Sequence, residues 1–567
     1  MVLFGIVCLA TALRAQRSPA SGRQPDAGDD REALKWILEQ TEGYRRAGRP
    51  HIGVYLADGS TDIFDQSDFE RTQGKLPIGC RLGISLSPRQ DGRHRRVGGI
   101  VDDDLRKLAN LRQLQQLRID SDHFTGEGLA YLAALPRLKT LSVNGRGMTD
   151  TGLEKLSTLT HLKVLDVTRR HPLGRRILIG ISELQDLEEL NIGIETTGLA
   201  ALAKLPKLRK LDFSIDLTPD NARDLEKLQQ VEEISMMFDS DAESERYFGA
   251  VGKLKNLRTI EVYDPFDQSA LKRLAAAPAL RELTLGLTSN GPDTALSSEG
   301  LESLAALKQI HSLQYSGPLA DDLLLAISKM TELREITLSC SGSTVEVSPQ
   351  GWGRLKSLRF LNNLSISTDD YAWTVADARQ LAGIRGLATL TLDLSGSTVD
   401  DEILVEVTKA PTIRDLTVSG AGVTELGIAS IAEMANLEVL DLRGTFASDD
   451  GIAKLTPVKR LKSLSISGDH RKLTRQAIEH VANIESLESL CLTCMDIEPL
   501  NLAPLARLGR LRRLSLDGRQ FQDQHLAAIE HCRNLEILEL QSTMVSSNGL
   551  AELKSSHPQL RVTRNQD

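Results

Sequence analysis

The pair Cys491 and Cys494 is the first candidate for chemistry, because it forms a CxxC motif in the segment CLTC. This spacing serves redox-active disulfides and supplies half of a common zinc site. The other four cysteines, at positions 8, 80, 340 and 532, are too scattered to complete a zinc framework. A second CxxC and a redox-type βαβ context are both missing. The sequence therefore favours the interpretation that Cys491 and Cys494 are simply two small side chains within a repeat.

An acidic run and two histidines are the next candidates, here for metal binding. The segment DSDAESE (239–245) alternates acids but lacks the glycine and terminal glutamate of a calcium loop. His525 and His531 are six residues apart, so a helix would place them on opposite faces. Motifs of zinc proteases, serine hydrolases, Walker-type loops and dinucleotide-binding folds are also missing from the sequence. The sequence therefore predicts a protein that is not an enzyme and uses no metal or cofactor.

Two basic runs, GRHRR (92–96) and RRHPLGRR (169–176), could bind an anion if they met on one edge of the protein. Solvated loops are the interpretation that the sequence favours. The whole chain has a formal net charge of −9 and a pI near 5.8. Because this balance provides no general phosphate-neutralising surface, nucleic acid is not a predicted partner.

The elements that must position these residues are indicated by a leucine period that changes within one short segment. In TDTGLEKLSTLTHLKVLDV (149–167), leucines at 153, 156 and 159 fit a short helix with one face turned inward. Thr149 or Asp150 can cap its first N–H groups. Leu165 and Val167 then alternate as in a strand with both side chains inward. One such unit cannot bury its apolar side alone, whereas a stack of copies can.

Copies of this unit recur along most of the chain at a mean spacing of about 25 residues, which indicates a repeat array. The first apolar residues of the successive L-x-x-L-x-L segments are Leu114, Leu138, Leu162, Leu187, Leu208, Val231, Leu257, Leu280, Ile310, Leu333, Leu361, Leu387, Ile413, Leu437, Leu461, Leu487, Leu511, Leu535 and Leu560.

The unit resembles the leucine-rich repeat, in which L-x-x-L-x-L is followed by a turn and a helical segment. The helix starts TDTGLEKL (149–156), TELGIASI (424–431) and SDDGIAKL (448–455) are similar to long repeats of the ribonuclease-inhibitor and F-box-associated class, and most similar to exported bacterial leucine-rich repeat proteins. The resemblance covers residues 80–563. It implies an α/β solenoid, a curved horseshoe or arc of about 19–20 repeats with a concave parallel sheet and convex helices. Since the family's asparagine after the strand is mostly absent, a buried asparagine ladder is not expected.

The apolar run VLFGIVCLATAL (2–13) is too short for a membrane span and is typical of an export signal. Cleavage after Ala15 is expected, although no positive charge precedes the run, and an uncleaved anchor or a buried start is the alternative. The expected location is the periplasm, the cell envelope or outside the cell, with the cytoplasm as the alternative. No later segment is apolar enough to span a membrane.

Composition and repeat spacing divide the chain into five segments. They are an export signal over 1–15, a disordered linker over 16–30, an N-terminal cap with an irregular first repeat over 31–99, the repeat array over 100–550, and a C-terminal cap and tail over 551–567.

The resemblance places the residue between the second and third apolar positions of each repeat on the concave face. Of eighteen such residues, nine are Ser or Thr, five are acidic and one is basic, and the neighbouring row adds five acids against two basic residues. This face favours a cationic or hydroxyl-rich partner, although it lacks the Trp, Tyr and Arg anchors of tight interfaces. The alternative is that small polar residues merely solvate the sheet. The candidate ligand-binding residues are Asp166, Asp212, Glu261, Asp441, Glu189, Glu233, Glu282, Glu335 and Asp415.

Two long intervals between repeats contain the insertions 288–300 and 340–353, which we expect to form surface loops. Trp352 and DDYAWTV (369–375) are interpreted as packing beneath these loops rather than as a binding patch. The predicted function is a non-catalytic scaffold that binds a protein or a cell-surface polymer through the concave face and the two loops. The alternative is a substrate-recognition subunit of a ubiquitin-ligase-like complex, but residues 31–80 are too short and too polar for a convincing F-box.

Overall fold

The structure is a computed structural model that describes residues 30–41, 51–55, 61–64, 81–86, 89–90, 96–97 and most of 100–565. Within the last range the segments left out are 169–174, 195–197, 216–218, 239–243, 264, 288–294, 341–343, 369–370, 394–400, 421, 446, 468–472 and 494–498. Residues 1–29, which contain the predicted export signal and almost all of the predicted linker, lie outside the described residues. The predicted segment boundaries therefore stay predictions.

A single long sheet contains most of the strands. Twenty strands of this sheet pair in parallel in the order of the chain, from β3 through β6–β14, β16 and β18 to β26. The short pairs β4–β5 and β15–β17 are separate. The strands are β1 His51–Tyr55, β2 Thr61–Phe64, β3 Arg81–Leu86, β4 Arg89–Gln90, β5 Arg96–Val97, β6 Leu114–Asp120, β7 Thr140–Asn144, β8 Val164–Thr168, β9 Glu189–Ile194, β10 Lys210–Ile215, β11 Glu233–Phe238, β12 Thr259–Tyr263, β13 Glu282–Gly286, β14 Ser312–Ser316, β15 Leu319–Ala320, β16 Glu335–Cys340, β17 Val345–Glu346, β18 Asn363–Thr368, β19 Thr389–Asp393, β20 Asp415–Ser419, β21 Val439–Asp441, β22 Ser463–Ser467, β23 Ser489–Thr493, β24 Arg513–Asp517, β25 Ile537–Gln541 and β26 Arg561–Asn565.

A short helix precedes most strands and packs against the helix of the next repeat. The α-helices are Asp30–Thr41, Leu105–Leu108, Asp150–Leu153, Arg175–Ile181, Pro219–Leu225, Ser244–Val251, Ser298–Ala305, Asp321–Ser328, Pro349–Gly353, Val375–Ala382, Asp401–Val407, Glu425–Ile431, Asp449–Ala453, Arg475–Val481, Asp523–Ile529 and Ser547–Ser556. The 3₁₀ helices are Asp102–Asp104, Glu127–Ala134, Glu154–Thr158, Leu199–Lys204, Gln268–Ala276, Arg354–Ser357 and Pro499–Arg507.

A continuous apolar core lies between the sheet and the helices. Leu141, Leu165, Leu190 and Leu211 pair in register on β7–β10, and none is more than 1% exposed. Leu153, on the helix of the repeat that ends in β8, is completely buried. Burial of each such side chain contributes about 1.5–3 kcal/mol, which a single unit could not obtain in isolation. The repeat array predicted from the leucine spacing is therefore confirmed.

Polar contacts join the helix starts of successive repeats. Thr149 caps its own helix, accepting a hydrogen bond from the Gly152 amide at 3.1 Å, as predicted. An Asp at the start of one helix also accepts hydrogen bonds from the capping Ser or Thr of the next repeat. Asp321, for example, accepts from the Ser348 amide at 2.8 Å and the Ser348 hydroxyl at 2.6 Å. The same contact joins Asp401 to Thr424, Asp449 to Thr474 and Asp523 to Ser546, and Asp102 accepts similarly from the amide and hydroxyl of Thr125, which precedes the 3₁₀ helix Glu127–Ala134.

The N-terminal region contributes a helix and a hairpin. The helix Asp30–Thr41 buries Leu34, Ile37 and Leu38, the apolar face expected from its sequence. The antiparallel hairpin β1–β2 lies between the two outer strands of the parallel array, because β1 pairs with β3 and β2 pairs with β26. Among the described residues, no helix is long and apolar enough to span a membrane.

Candidate functional site

The exposed face of the sheet presents rows of side chains that follow the strand register. Arg118, Ser142 and Asp166 pair on β6–β8, and the same row continues strand by strand to Glu539 on β25. Each of its residues is followed by a buried apolar residue, as the period of two in a strand requires. A helix and a parallel strand in each unit, with leucines in register beneath this face, decide the architecture. The protein is a leucine-rich repeat solenoid.

In this leucine-rich repeat solenoid, six of the nine predicted ligand-binding residues occur on six consecutive strands. They are Asp166, Glu189, Asp212, Glu233, Glu261 and Glu282, one on each strand from β8 to β13, and we call them the acidic patch. Five strand spacings of about 4.8 Å give the patch a length of roughly 24 Å. Its two rows contain one basic residue on these strands, Lys210, which lies 3.4 Å from Glu233.

Partial burial among like charges raises the pKa of two carboxyl groups in the patch, those of Asp212 and Glu189. Desolvation and the nearby Glu261 charge raise the pKa of Asp212 to about 6, and Lys210 only partly opposes them. Desolvation also raises the pKa of Glu189; the charge of Lys210 opposes this shift, and the charges of Glu233 and Glu188 add to it. Negative charge is therefore costly here in the absence of a cation. A cationic group bound to the patch would lower that cost.

A shallow cleft of about 190 Å³ lies at the β11–β14 end of the patch. Carboxylates of Glu233, Glu261 and Glu282 line it together with the hydroxyl groups of Thr259, Thr284 and Ser312. The Thr259 hydroxyl donates to Glu282 at 3.1 Å. The cleft therefore offers acceptors for a cationic or hydroxyl-bearing group. In the described part of the chain, no cluster of three or more His, Cys, Asp or Glu side chains is arranged to hold a metal ion.

A third row on the same face supplies apolar contact that the two predicted rows lack. Met237, two residues beyond Ser235, is 53% exposed. Tyr263 donates its hydroxyl to Glu261 at 3.2 Å, and its ring occupies the space where a side chain on Gly286 would lie, 2.4 Å from the Cβ position. Sequence reasoning missed both residues because it stopped one outward position too early on each strand. Extending the period of two would have found them.

The other three predicted residues lie apart from the acidic patch. Glu335 is exposed on β16, two strands beyond Glu282. Asp415 and Asp441 are neighbours in different rows of β20 and β21. Arg443 donates from Nε to Oδ1 of Asp441 at 3.0 Å and from Nη2 to Oδ2 at 2.6 Å, so this carboxylate already has a cationic partner. Binding roles for all nine residues stay predictions.

The aromatic residues near the insertions pack internally. Trp352 is completely buried and stacks on Trp373, with ring centroids 5.2 Å apart. The Tyr371 hydroxyl accepts from Trp352 Nε1 at 3.3 Å and donates to the Val347 carbonyl at 2.8 Å. The interpretation of these rings as packing is confirmed. Residues 288–294 and 341–343 of the two insertions lie outside the described residues.

The remaining candidates from the sequence are His525, the CxxC motif, and the basic and acidic runs. His525 is buried, and its Nδ1 accepts from the Gln522 amide of its own helix start at 3.1 Å. Cys491 pairs with Ser465 on the exposed row that contains Asp166, whereas Cys494 lies outside the described residues. Most of the two basic runs and of the acidic run 239–245 also lies outside them.

Solved leucine-rich repeat structures resemble this chain. An internalin from Listeria monocytogenes has 18% identity over 67% of this chain and 87% of its own, with a TM-score of 0.31. TLR13 in its complex with ssRNA13 has 17% identity over 80% and 71%, with a TM-score of 0.45. A leucine-rich repeat protein of Leptospira interrogans has 15% identity over 80% and 91%, with a TM-score of 0.29. These similarities concern the fold alone. No family model and no curated protein matches the sequence.

Proposed function

We propose that this protein is a non-catalytic scaffold that binds a cationic protein segment or cationic cell-surface polymer on the acidic patch. The observation that carries the proposal is the placement of one carboxylate on each of six consecutive strands, with Lys210 as the one basic residue in the two rows there. A partner with regularly spaced positive charges along an extended chain would match this spacing. The insertion 288–300, which the sequence predicts to be a surface loop, follows β13 along the chain and is part of the proposed binding surface.

The expected affinity is modest and depends on salt. Half-exposed carboxylates attract cations mainly by long-range Coulomb forces, which ionic strength screens over about 8–10 Å. Tyr263 and Met237 add limited apolar contact beside the charges. We therefore expect charge to control the rate of association and the choice of partner more than the final affinity.

The test uses a fluorescent oligolysine peptide and a chitosan oligomer as cationic probes. The patch variant carries Asp166→Asn, Glu189→Gln, Glu261→Gln and Glu282→Gln. The control variant neutralises four exposed acids at helix starts or on helices, Glu299, Glu402, Asp450 and Glu552. Both variants lose the same charge, so a difference between them reports location.

We expect the patch variant to bind at least about tenfold more weakly at low salt and the control variant to bind within about twofold of the wild type. Equal binding by the wild type and the patch variant, or equal losses in both variants, would reject the patch as the binding site. The thermal midpoint of each variant shows whether it has kept its fold.

We also propose export of the chain, on the basis of the apolar run at residues 2–13. N-terminal sequencing of the mature protein should begin at or near Gln16. A mature chain that begins at Met1 in the cytoplasm would contradict export. The ubiquitin-ligase alternative gains no support from the described residues.

A further inference from the structure

The hairpin β1–β2 connects the two outer strands of the repeat array. Its first strand runs antiparallel to β3, with His51 opposite Ser85 and Tyr55 opposite Arg81. Its second strand runs parallel to β26, with Thr61 opposite Thr563. The path β3, β1, β2, β26 therefore joins the start of the array to its end, across some 500 residues of sequence.

Outer strands of a parallel sheet carry unpaired N–H and C=O groups that invite pairing with other chains. Repeat proteins commonly cover these ends with separate capping units. Here β3 and β26 do not pair with each other, and the same hairpin lies against both. We propose that the hairpin β1–β2 is a clasp that closes the open array of twenty parallel strands into a ring.

The two joints of the clasp differ in extent. Five residue pairs join β1 to β3, whereas one pair, Thr61 with Thr563, joins β2 to β26. Adjacent strands elsewhere in the array share at least three pairs. The hairpin is therefore anchored to the first repeat, and its joint with β26 is the weakest link of the ring.

Closure has a geometric consequence for the concave face. Twenty-two strands at about 4.8 Å per spacing give an inner circumference of roughly 106 Å and a backbone-to-backbone diameter of roughly 34 Å. The acidic patch would then line a bore that is open at both faces of the ring. An extended chain can pass along such a bore, whereas a large folded domain cannot enter it. The closure itself does not depend on the ligand proposed above.

A disulfide across the weak joint tests the clasp in the full chain. Directly paired residues on neighbouring strands are within the Cα separation of about 4.4–6.8 Å that a disulfide requires. The test variant is Thr61→Cys with Thr563→Cys. The control is Thr61→Cys with Glu539→Cys, because Glu539 pairs with Thr563 one strand further away, at roughly 9.6 Å from position 61. Peptide mass spectrometry identifies the bond despite the native cysteines.

We expect most of the test variant to form the 61–563 disulfide under mild oxidation and the control variant to form little of the corresponding bond. Failure of the 61–563 bond to form, with both thiols reactive toward a maleimide, would overturn the proposal. Equal cross-linking in both variants would also overturn it, because it would mean that the hairpin has no fixed register against β26.

Small-angle X-ray scattering provides a second measurement. Thr61→Pro removes the amide at the joint, whereas Thr61→Val keeps a residue that favours strands. We expect the proline variant to show a larger maximum dimension and radius of gyration than the valine variant, with the circular dichroism of both unchanged. Identical scattering from the two variants would show that this joint does not close the array.

Discussion

Substitution of Gly351 by alanine should disrupt one of the polar contacts between repeats. Gly351 lies in the first turn of the helix Pro349–Gly353, where Ser348 is the N-cap. A Cβ at this position would lie 1.9 Å from Oδ1 of Asp321, in the preceding repeat. That oxygen accepts from the Ser348 amide, and Oδ2 of the same carboxylate accepts from the Ser348 hydroxyl. The alanine methyl group and the carboxylate cannot occupy the same space, so the carboxylate must move.

The size of the effect follows from the bonds that are lost. Each hydrogen bond to a charged group contributes about 1.5–3 kcal/mol, and moving Asp321 breaks two of them. Because Asp321 is only half-buried, water can replace part of this loss. Alanine also gains up to about 1 kcal/mol over glycine in a helix. The expected net destabilisation is about 2–4 kcal/mol.

Urea denaturation followed by circular dichroism and by tryptophan fluorescence measures this change, since Trp352 and Trp373 lie beside the substitution. Coincidence of the two signals justifies a single free energy of unfolding. One control variant and one comparison within the chain are available. Gly509→Ala should change stability little, because no heavy atom lies within 4 Å of its Cβ position. The second is present in the chain itself: Ala477 is the equivalent position after the Asp449–Thr474 contact, and there the cap accepts from the Gln476 amide rather than from the amide of the equivalent residue, so this helix start accommodates a methyl group.

A double-mutant cycle decides whether the carboxylate causes the effect. In an Asp321→Ala background the obstruction is gone, so Gly351→Ala should then cost less than about 1 kcal/mol. The coupling between the two sites should be about 2–3 kcal/mol. Additive effects, or a cost below about 0.5 kcal/mol for Gly351→Ala alone, would refute this explanation of the glycine.

Two further predictions concern the core and the acidic patch. Leu390→Ala should lower the free energy of unfolding by about 2–5 kcal/mol, because Leu390 is completely buried between Leu364 and Leu416 on the adjacent strands. The same denaturation assay measures this loss, and a value below about 0.5 kcal/mol would contradict the inward orientation of Leu390. Because folding raises the pKa of Asp212 to about 6, ionisation of this group opposes folding, so its unfavourable contribution grows as the pH rises from 4 to 6 and is complete above pH 7. Asp212→Asn should therefore raise the urea midpoint relative to wild type clearly more at pH 8 than at pH 4.5, and an equal shift at both values would contradict the pKa assignment.

The architecture was predictable from the sequence because it depends on local sequence patterns that recur in successive repeats. The alternation of Leu165 and Val167 fixes which side chains of β8 face the core, and copies of the segment place Asp166 and Asp212 in the same row. A period of two leaves no freedom in this assignment once the apolar positions are known. The clustering of six acids on consecutive strands also follows directly from the order of the repeats.

Other features depend on contacts that no local pattern contains. Pairing of Arg443 with Asp441 depends on the conformation of the turn after β21, so the sequence alone could not show that Asp441 already has an arginine partner. The contact of Asp321 with Ser348 could not be read from the sequence, because an aspartate in the first turn of a helix suggests an interaction with the N-terminus of its own helix. The pairing of Thr61 with Thr563 joins residues at opposite ends of the chain, and β1 and β2 belong to a region without the repeat pattern.

The electrostatic cost of the acidic patch argues for a binding role rather than for solvation of the sheet alone. Elsewhere on the row that contains Asp166, most residues are serine or threonine, as at Thr391, Thr417 and Ser465, which hydrate the exposed face without placing like charges together. On β8–β13 that row contains three carboxylates, Asp166, Asp212 and Glu261, and the neighbouring row adds Glu189, Glu233 and Glu282. Burial with mutual repulsion raises the pKa of Asp212 and Glu189. Perturbed carboxyl groups of this kind are concentrated at functional sites. Uncharged residues would solvate the sheet equally well. A cationic partner that offsets the repulsion would therefore explain why carboxylates are clustered on these strands.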